Sequence, residues 1–249
     1  MPNNQSIISK VKLAVVLLFV YVVLFEFVLP VNKILPKPDL LFESLIAVWK
    51  DYNLLQSAAA TTTIIYLSLA LAYFIFVKAA PLLMKFFAAY NESAESLKIF
   101  RYFPAFFFAI LFSFWFGDSF LAEFLFAVIV SFLMFSFSLY RYSGGINESY
   151  KLTAKNLGVA GNSLYSKVLF KSIQPKIFDD MRRTHYYIWV LIMIYEFISN
   201  AEGFGGVYRQ ALNYNDFSAL FSIAVIISLL ILLGDLVYKI IREKIYFWQ

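Results

Sequence analysis

The stretch Tyr52–Val77, with the sequence YNLLQSAAATTTIIYLSLALAYFIFV, contains no charged side chain. A helix of about 20 mostly apolar residues is long enough to cross the hydrocarbon core of a bilayer. The whole chain agrees with this stretch, because 61% of its 249 residues are hydrophobic, 15% are charged and its mean hydropathy is +0.73. A soluble fold of this length could not bury so many apolar side chains, and a membrane β-barrel would alternate polar and apolar residues. The sequence therefore predicts an all-α membrane protein.

Further apolar runs lie on both sides of this stretch. Together they predict six transmembrane helices, at residues 11–29, 52–77, 102–117, 120–140, 184–199 and 217–237. The apolar piece Ala79–Tyr90 contains Pro81 and Lys85 and is too short to cross, so we interpret it as an interfacial helix or a cytoplasmic elbow. Residues 141–183 form the long polar loop. We predict one transmembrane domain over residues 1–249.

The basic residues predict the orientation of these spans. With the N-terminus inside, 17 of the 21 Lys and Arg residues fall in cytoplasmic segments. The four on the outer side are Lys33, Lys37, Lys50 and Arg209. Cytoplasmic loops of membrane proteins carry an excess of Lys and Arg. We therefore predict that both the N-terminus and the C-terminus are cytoplasmic.

The sequence contains no motif that indicates catalysis. There is no cysteine, the phosphate-binding glycine loop is absent, and His185 is the one histidine. We therefore expect no enzymatic activity, no metal site, no cofactor bound by this chain and no nucleic-acid partner. His185 lies beside Arg182 and Arg183 at a predicted membrane edge, and we interpret it as an interfacial histidine rather than a proton relay.

Four acidic residues lie in or near the predicted spans, where a charge is costly. Glu26, Glu123 and Asp235 are close to span ends, so we expect these three to reach water. Glu196 is different, because a glycine cluster follows it, and both a structural and a gating role stay open for it. We predict that the translocation path or its gate includes Ser57, Thr61, Thr62, Glu196, Gly203 and Gly205, although helix–helix hydrogen bonding explains the threonines equally well.

The sequence of the polar loop predicts a helix, a break and then a second helix. Asn147 is placed to cap the first helix, Gly158 to end it in a left-handed conformation, and Asn162 or Ser163 to cap the second. One face of the second helix then carries Leu164, Tyr165, Val168 and Leu169. We expect this apolar face to be exposed and to dock on a partner.

Here the sequence resembles the membrane subunit of ABC importers of the nitrate/sulfonate/taurine type. Within the loop, the matching positions are Ala154, Gly158, Leu164, Val168 and Pro175. Elsewhere the matching features are Leu35-Pro36-Lys37-Pro38, Phe116-Gly117, Glu196 followed by Gly203-Phe204-Gly205, and Trp248. The chain departs from the family pattern at Leu152 and Lys171, which replace a glutamate and a proline, and in Tyr52–Val77, which lacks the usual glycines and arginine.

The resemblance implies a type I ABC importer permease that forms the path for a small anionic solute in a bacterial inner membrane. It further implies a homodimer, two ATPase subunits that bind ATP and Mg, and an outer solute-binding protein. The family's coupling helix falls at Leu152–Phe170, so the resemblance assigns ATPase coupling to Ala154, Gly158, Leu164, Tyr165, Val168 and Leu169. Two alternatives stay open: a membrane scaffold that keeps the fold without a transport path, and, less well supported, a membrane-bound enzyme.

Overall fold

A computed structural model describes residues 4–28, 36–90, 104–117 and 119–246. These residues are helical with short connections, and no β-strand occurs among them. The prediction of an all-α fold is confirmed. The chain divides into two compact units, the first formed by Met1–Leu55 with Val207–Ser228 and the second by Gln56–Gly206 with Leu229–Gln249. Four predicted features fall wholly or partly outside the described residues: the ends of the first and third spans, Leu35 and Trp248.

The helices follow one another along the chain with few residues between them. They are α1 (Asn4–Val23, continued by a π-helical turn Leu24–Val28), α2 (Pro38–Asp51), α3 (Leu54–Ala89), α4 (Ala105–Phe116), α5 (Phe120–Ser143), α6 (Glu148–Asn156), α7 (Phe170–Ser199), α8 (Phe204–Asn213) and α9 (Phe217–Ile245). A helical turn Gly161–Ser163 and a π-helical segment Leu164–Leu169 lead directly into α7.

The first unit contains α1, α2 and the junction between α8 and α9. Pro38 and Asp39 occupy the first turn of α2, where a missing N–H is tolerated and a negative charge is favourable. At the junction, Asp216 accepts a hydrogen bond from the backbone N–H of Ala219 at 2.9 Å and caps α9. The Tyr52 hydroxyl donates to the same carboxylate at 2.9 Å, which fastens the end of α2 to the start of α9.

The second unit is built around α7, which packs against α4 and α5. Its buried residues recur every three to four positions, as in Ile188, Ile192 and Tyr195, each with no exposed surface. Aromatic rings fill the space beside it, with Phe76 and Phe135 at a centroid distance of 5.7 Å. Because this core uses side chains from α3, α5 and α7, it holds these three helices at fixed positions within the unit.

Every predicted span coincides with a helix, although not all of these helices have the same character. Within the described ranges, α3, α5 and α9 are long and apolar enough to cross a membrane. Shorter apolar helices run over Val15–Val28 and Ala105–Phe116. These findings support a multi-pass membrane protein. The count of six spans and the cytoplasmic position of the termini stay predictions.

The interpretation of Ala79–Tyr90 as a separate elbow is wrong, because α3 continues through Pro81 to Ala89. Proline removes one helical hydrogen bond, which normally favours a break. Here Ala80, Met84 and Phe87 recur at helical spacing and are all buried, so tertiary packing outweighs that loss. The Lys85 ammonium is also bonded to the Asn162 side chain, which holds the end of α3 against the polar loop.

The polar loop follows the prediction in its first half. Asn147 caps α6 by accepting from the N–H of Ser149 at 2.9 Å, and Gly158 has a positive φ of 74°. The second half differs, because neither Asn162 nor Ser163 caps a helix and the helix does not stop before α7. The predicted exposed stripe is also wrong, since Leu164 and Leu169 are buried where the π-helical segment packs back on α6.

Candidate functional site

The Glu196 carboxyl group lies three residues before the end of α7 and has no exposed surface. Its Oε1 accepts a hydrogen bond from the Thr61 hydroxyl of α3 at 2.6 Å. Its Oε2 accepts one from the backbone N–H of Gly205 at 2.7 Å. A buried carboxyl group is tolerated when donors replace its lost water contacts. These two donors therefore explain how Glu196 is accommodated inside an apolar helix bundle.

The turn between α7 and α8 supplies one of these donors. Asn200 adopts a left-handed conformation with φ of 58° and ends α7, and α8 begins at Phe204. The free N–H groups at a helix N-terminus carry partial positive charge and attract acidic side chains. The N–H of Phe204 donates to Thr61 Oγ1 at 2.9 Å, so the Thr61 hydroxyl both donates and accepts. The N–H groups of Phe204 and Gly205 are thus hydrogen-bonded to the side chains of Thr61 and Glu196.

The two glycines of the turn are required by the close approach of Glu196. Gly203 has a φ of 154°, and a Cβ atom there would lie 2.6 Å from Glu196 Oε2. A Cβ atom on Gly205 would lie 2.7 Å from both Glu196 Cβ and the backbone nitrogen of Phe197. The structure therefore brings together four residues that the sequence singled out: Thr61, Glu196, Gly203 and Gly205. We call these four residues the Glu196 cluster.

Two other predicted path residues stay outside the Glu196 cluster. Ser57 is buried one helical turn before Thr61 on α3. Thr62 donates to the carbonyl of Ala58 at 2.6 Å and so bonds to its own helix. Since added Cβ atoms on the glycines would collide with Glu196, the cluster is a filled contact between helices rather than an open channel.

The prediction that Glu123 reaches water is wrong. Its side chain is 1% exposed and lies near that of Glu196, while its Oε1 has no hydrogen-bond partner among the described residues. The first turn of α5 packs on the end of α7, with Phe126 stacked on Tyr195 at 5.8 Å, and this contact carries Glu123 inward. Proximity to a span end indicates exposure only when no neighbouring helix covers that end.

The interpretation of His185 as an interfacial residue is also wrong, because it has no exposed surface. The indole N–H of Trp189 donates to His185 Nε2 at 2.9 Å, and indole has no acceptor nitrogen. Nε2 is therefore unprotonated, and the neutral ring carries its proton on Nδ1. Gly234 allows α9 to approach this ring, since a Cβ atom there would lie 2.9 Å from Nε2. The only sequence signal for this burial is the helical spacing of His185 and Trp189.

Near His185, α7 and α9 are joined by an ion pair. The Arg182 guanidinium binds Asp235 with two N–H groups, one of them at 2.5 Å, and the Tyr186 hydroxyl adds a third bond at 2.8 Å. Asp235 is 21% exposed in its side chain and Arg182 57%. In the residues that the structure describes, no group of three or more His, Asp or Glu side chains is arranged to hold a metal ion.

The residues assigned to ATPase coupling occupy different environments. Ala154, Leu164 and Leu169 are buried, Tyr165 and Val168 are half-buried, and Gly158 is exposed. The large apolar side chains that the loop exposes are different ones, namely Tyr150, Leu152 and Leu157, with 56%, 60% and 76% of their surfaces accessible. Sequence reasoning missed these three because it placed the apolar face on the second helix.

Long apolar helices and buried polar contacts between them define a helical, multi-pass membrane protein. Residues 95–246, well over half of the chain, match the family described as binding-protein-dependent transport system inner membrane component. The chain belongs to this family and is a permease subunit of an ABC transporter, located in the inner membrane. The prediction of an ABC transporter permease is confirmed, and the nitrate/sulfonate/taurine type stays a prediction. A comparison with curated proteins gave no match.

Proposed function

We propose that this permease is the transmembrane subunit of an importer of the nitrate/sulfonate/taurine type and forms the path for a small anionic solute. The observation that carries this proposal is the family match over residues 95–246, which spans the polar loop and the Glu196 cluster except Thr61. The subtype rests on the order of short motifs from Ala154 to Gly205. The family implies ATPase and binding-protein partners of an ABC transporter in general. In our proposal the partners are a second copy of this chain, two ATPase subunits carrying ATP and Mg, and an outer solute-binding protein.

The ATPase contact in this proposal involves the exposed side of α6 and the turn that follows it. Leu152 and Leu157 are exposed there, and Tyr150, seven residues before Leu157 and so on the same side of α6, is exposed as well. Exposed apolar side chains that lie together mark contact surfaces. Leu164 and Leu169 then serve a different purpose, because their burial holds the π-helical segment against α6. In this arrangement Gly158 provides the turn between the contact surface and the segment that supports it.

The test of this contact is the substitution Leu157→Asp. A charge placed in an apolar contact loses its hydration, so we expect at least roughly tenfold weaker retention of the ATPase and a matching loss of uptake. Because Leu157 is exposed in the isolated chain, membrane insertion should not change. The control is Asn156→Asp, which adds the same charge at the neighbouring exposed position without removing an apolar side chain. Equal retention of the ATPase by Leu157→Asp and Asn156→Asp would contradict the proposed contact.

The Glu196 cluster has a gating role in our proposal. Its hydrogen bonds tie the turn between α7 and α8 to α3, and its packing leaves no space for a solute. Transport through this region then requires the turn to move as a whole. These contacts support a cluster that stabilises one conformational state of the permease, rather than a set of side chains that line the path.

Transport itself is tested by uptake into proteoliposomes that contain the permease, its ATPase and its binding protein. We expect ATP-dependent uptake of at least one labelled anion from a panel of nitrate, taurine and an alkanesulfonate. The same vesicles with ADP are the control. ATPase binding without uptake of any of these anions would favour the scaffold alternative over the importer.

Orientation is tested by labelling single cysteines with a membrane-impermeant maleimide, because the native chain has no cysteine. We expect Lys50→Cys and Asn213→Cys to react on intact cells and Lys155→Cys to react only after the cells are opened. All three positions are exposed. Asn53 is avoided, since its φ of 48° would strain a cysteine. Labelling of Lys155→Cys on intact cells would reverse the predicted topology.

A further inference from the structure

A cavity of about 280 Å³ lies in the second unit, between the first half of α7 and the last turns of α9. Its aromatic lining consists of Phe178 and Tyr238, whose ring centroids are 6.4 Å apart. The remaining lining is charged, with three cations and two acids. The Glu196 cluster takes no part in this cavity, and the lining residues Phe178, Asp179 and Arg182 lie in the part of residues 141–183 that forms the first half of α7.

Two of the three cations are already engaged with protein carboxylates. Arg242 binds Asp179 through two N–H groups, and Arg182 binds Asp235 in the same way. The two arginines line the cavity in this paired state and leave little charge for a ligand. Lys239 and Glu243 remain, and within the described residues neither has a salt-bridge partner within 4.0 Å, although the charge of Glu243 also acts on Arg242 at longer range. Lys239 and Glu243 are therefore the cation and the acid of the lining that are least engaged by the protein.

The order of these two groups along α9 matches the depth of a lipid headgroup. Lys239 lies two residues after the apolar run that ends at Val237, and Glu243 lies one helical turn further from it, a rise of about 6 Å. Toward the apolar run, Leu236 and Leu232 lie three and seven residues before Lys239, at helical spacing from it, and are exposed, with accessible fractions of 47% and 55%. An amphiphile beside α9 would thus meet apolar side chains first, then a cation, then an acid.

We propose that this cavity binds the headgroup of an amine-bearing zwitterionic phospholipid, with its phosphate on Lys239 and its ammonium on Glu243. The acyl chains lie along Leu232 and Leu236. An ethanolamine ammonium donates N–H bonds to the Glu243 carboxylate, whereas a choline group has no N–H to donate. A glycerol headgroup leaves the lipid with a net negative charge that Glu243 repels. Phosphatidylethanolamine is therefore preferred over phosphatidylcholine and phosphatidylglycerol.

The experiment is native mass spectrometry of the detergent-purified chain titrated with these three lipids, all with identical acyl chains. We expect phosphatidylethanolamine to bind roughly fivefold tighter than either of the others, a difference of about 1 kcal/mol. The substitution Glu243→Gln should abolish the preference over phosphatidylcholine. The substitution Lys239→Gln should weaken all three lipids by a similar factor, and Lys239→Arg should restore binding. The matched control is Lys244→Gln, on the same helix but outside the cavity.

Two further outcomes separate a lipid from a soluble ligand. Inorganic phosphate or free phosphoethanolamine at millimolar concentration should leave the bound lipid in place, because neither supplies the acyl contacts. Displacement of the lipid by either compound would overturn the proposal in favour of a soluble phosphate ligand. Equal binding of the three lipids by the unmodified chain, or equal weakening by Lys244→Gln and Lys239→Gln, would also overturn it.

Discussion

Two regions of α7 hold polar contacts of opposite kinds. At its C-terminal end, Glu196 is fully buried and is held by a hydroxyl and a backbone N–H, with Glu123 beside it. Near its middle, Arg182 forms an ion pair with Asp235 of α9 that is partly exposed to solvent. A buried polar group costs its full desolvation energy once a partner is lost, whereas an exposed ion pair contributes little. The stability of the fold should therefore depend on the Glu196 end far more than on the ion pair.

The largest effect is expected from Gly205→Ala. The added Cβ atom would lie 2.7 Å from Glu196 Cβ and from the backbone nitrogen of Phe197, so the turn between α7 and α8 must shift. We expect a loss of about 3 kcal/mol or more in the free energy of unfolding. It would be measured as a lower Tm in detergent. The control is Gly144→Ala, where the added atom meets nothing within 4 Å and the Tm should stay within about 1 °C. An unchanged Tm for Gly205→Ala would show that the turn accommodates the added methyl group with little loss of stability.

An intermediate effect is expected from Glu196→Gln. Glutamine offers one acceptor oxygen where Glu196 offers two, so either Thr61 or the N–H of Gly205 loses its bond. Leaving one buried donor unpaired should cost about 2 kcal/mol of folding free energy. The loss would be followed as a reduced Tm together with reduced uptake.

The matched variant for this test is Glu123→Gln. Glutamine is nearly the same size as Glu123, and within the described residues no hydrogen bond from α3 or α8 reaches the Glu123 side chain. We therefore expect Glu123→Gln to cost less than about 1 kcal/mol. If Glu123→Gln proves more damaging than Glu196→Gln, the hydrogen bonds to α3 and α8 are not what holds the cluster.

The smallest effect is expected at the Arg182–Asp235 ion pair, near the middle of α7. A double-mutant cycle of Arg182→Gln and Asp235→Asn should give a coupling energy of about 0.5 kcal/mol, because more than half of the Arg182 side chain is exposed. The coupling should shrink further at high salt. A coupling above about 2 kcal/mol, from the Tm values of the four proteins, would mean that the ion pair and the Glu196 contacts are energetically alike.

The sequence predicted those features that depend on local rules. The cap at Asn147 and the left-handed Gly158 follow from the preferences of single residue types, and both are confirmed. The apolar runs placed α3, α5 and α9 for the same reason, since length and composition suffice to recognise them. The sequence singled out the glycines after Glu196 for a role in the path or its gate, which stays a prediction, and sequence alone could not show that they pack directly on the Glu196 carboxyl group.

The features that sequence did not predict depend on contacts between distant segments. Glu123 is buried because α7 covers the first turn of α5, and His185 because α3 and α9 surround it. Leu164 is covered by α6. In each case the local sequence pattern predicted an exposed side chain, but packing against another helix buries it.

The unbroken length of α3 has a mechanical consequence. Its 36 residues extend about 54 Å, nearly twice the thickness of a hydrocarbon core. Thr61 near one end is bonded to Glu196, and Lys85 near the other end is bonded to Asn162 of the polar loop. Both contacts are thus made by the same helix, with about 36 Å of α3 between Thr61 and Lys85. We therefore expect a displacement of the polar loop at Asn162 to be transmitted along α3 to the Thr61–Glu196 contact. Pro81 lies one turn before Lys85, where a missing hydrogen bond makes α3 easiest to bend. We expect the bending stiffness of α3 at Pro81 to determine how much of a movement of the polar loop reaches Thr61.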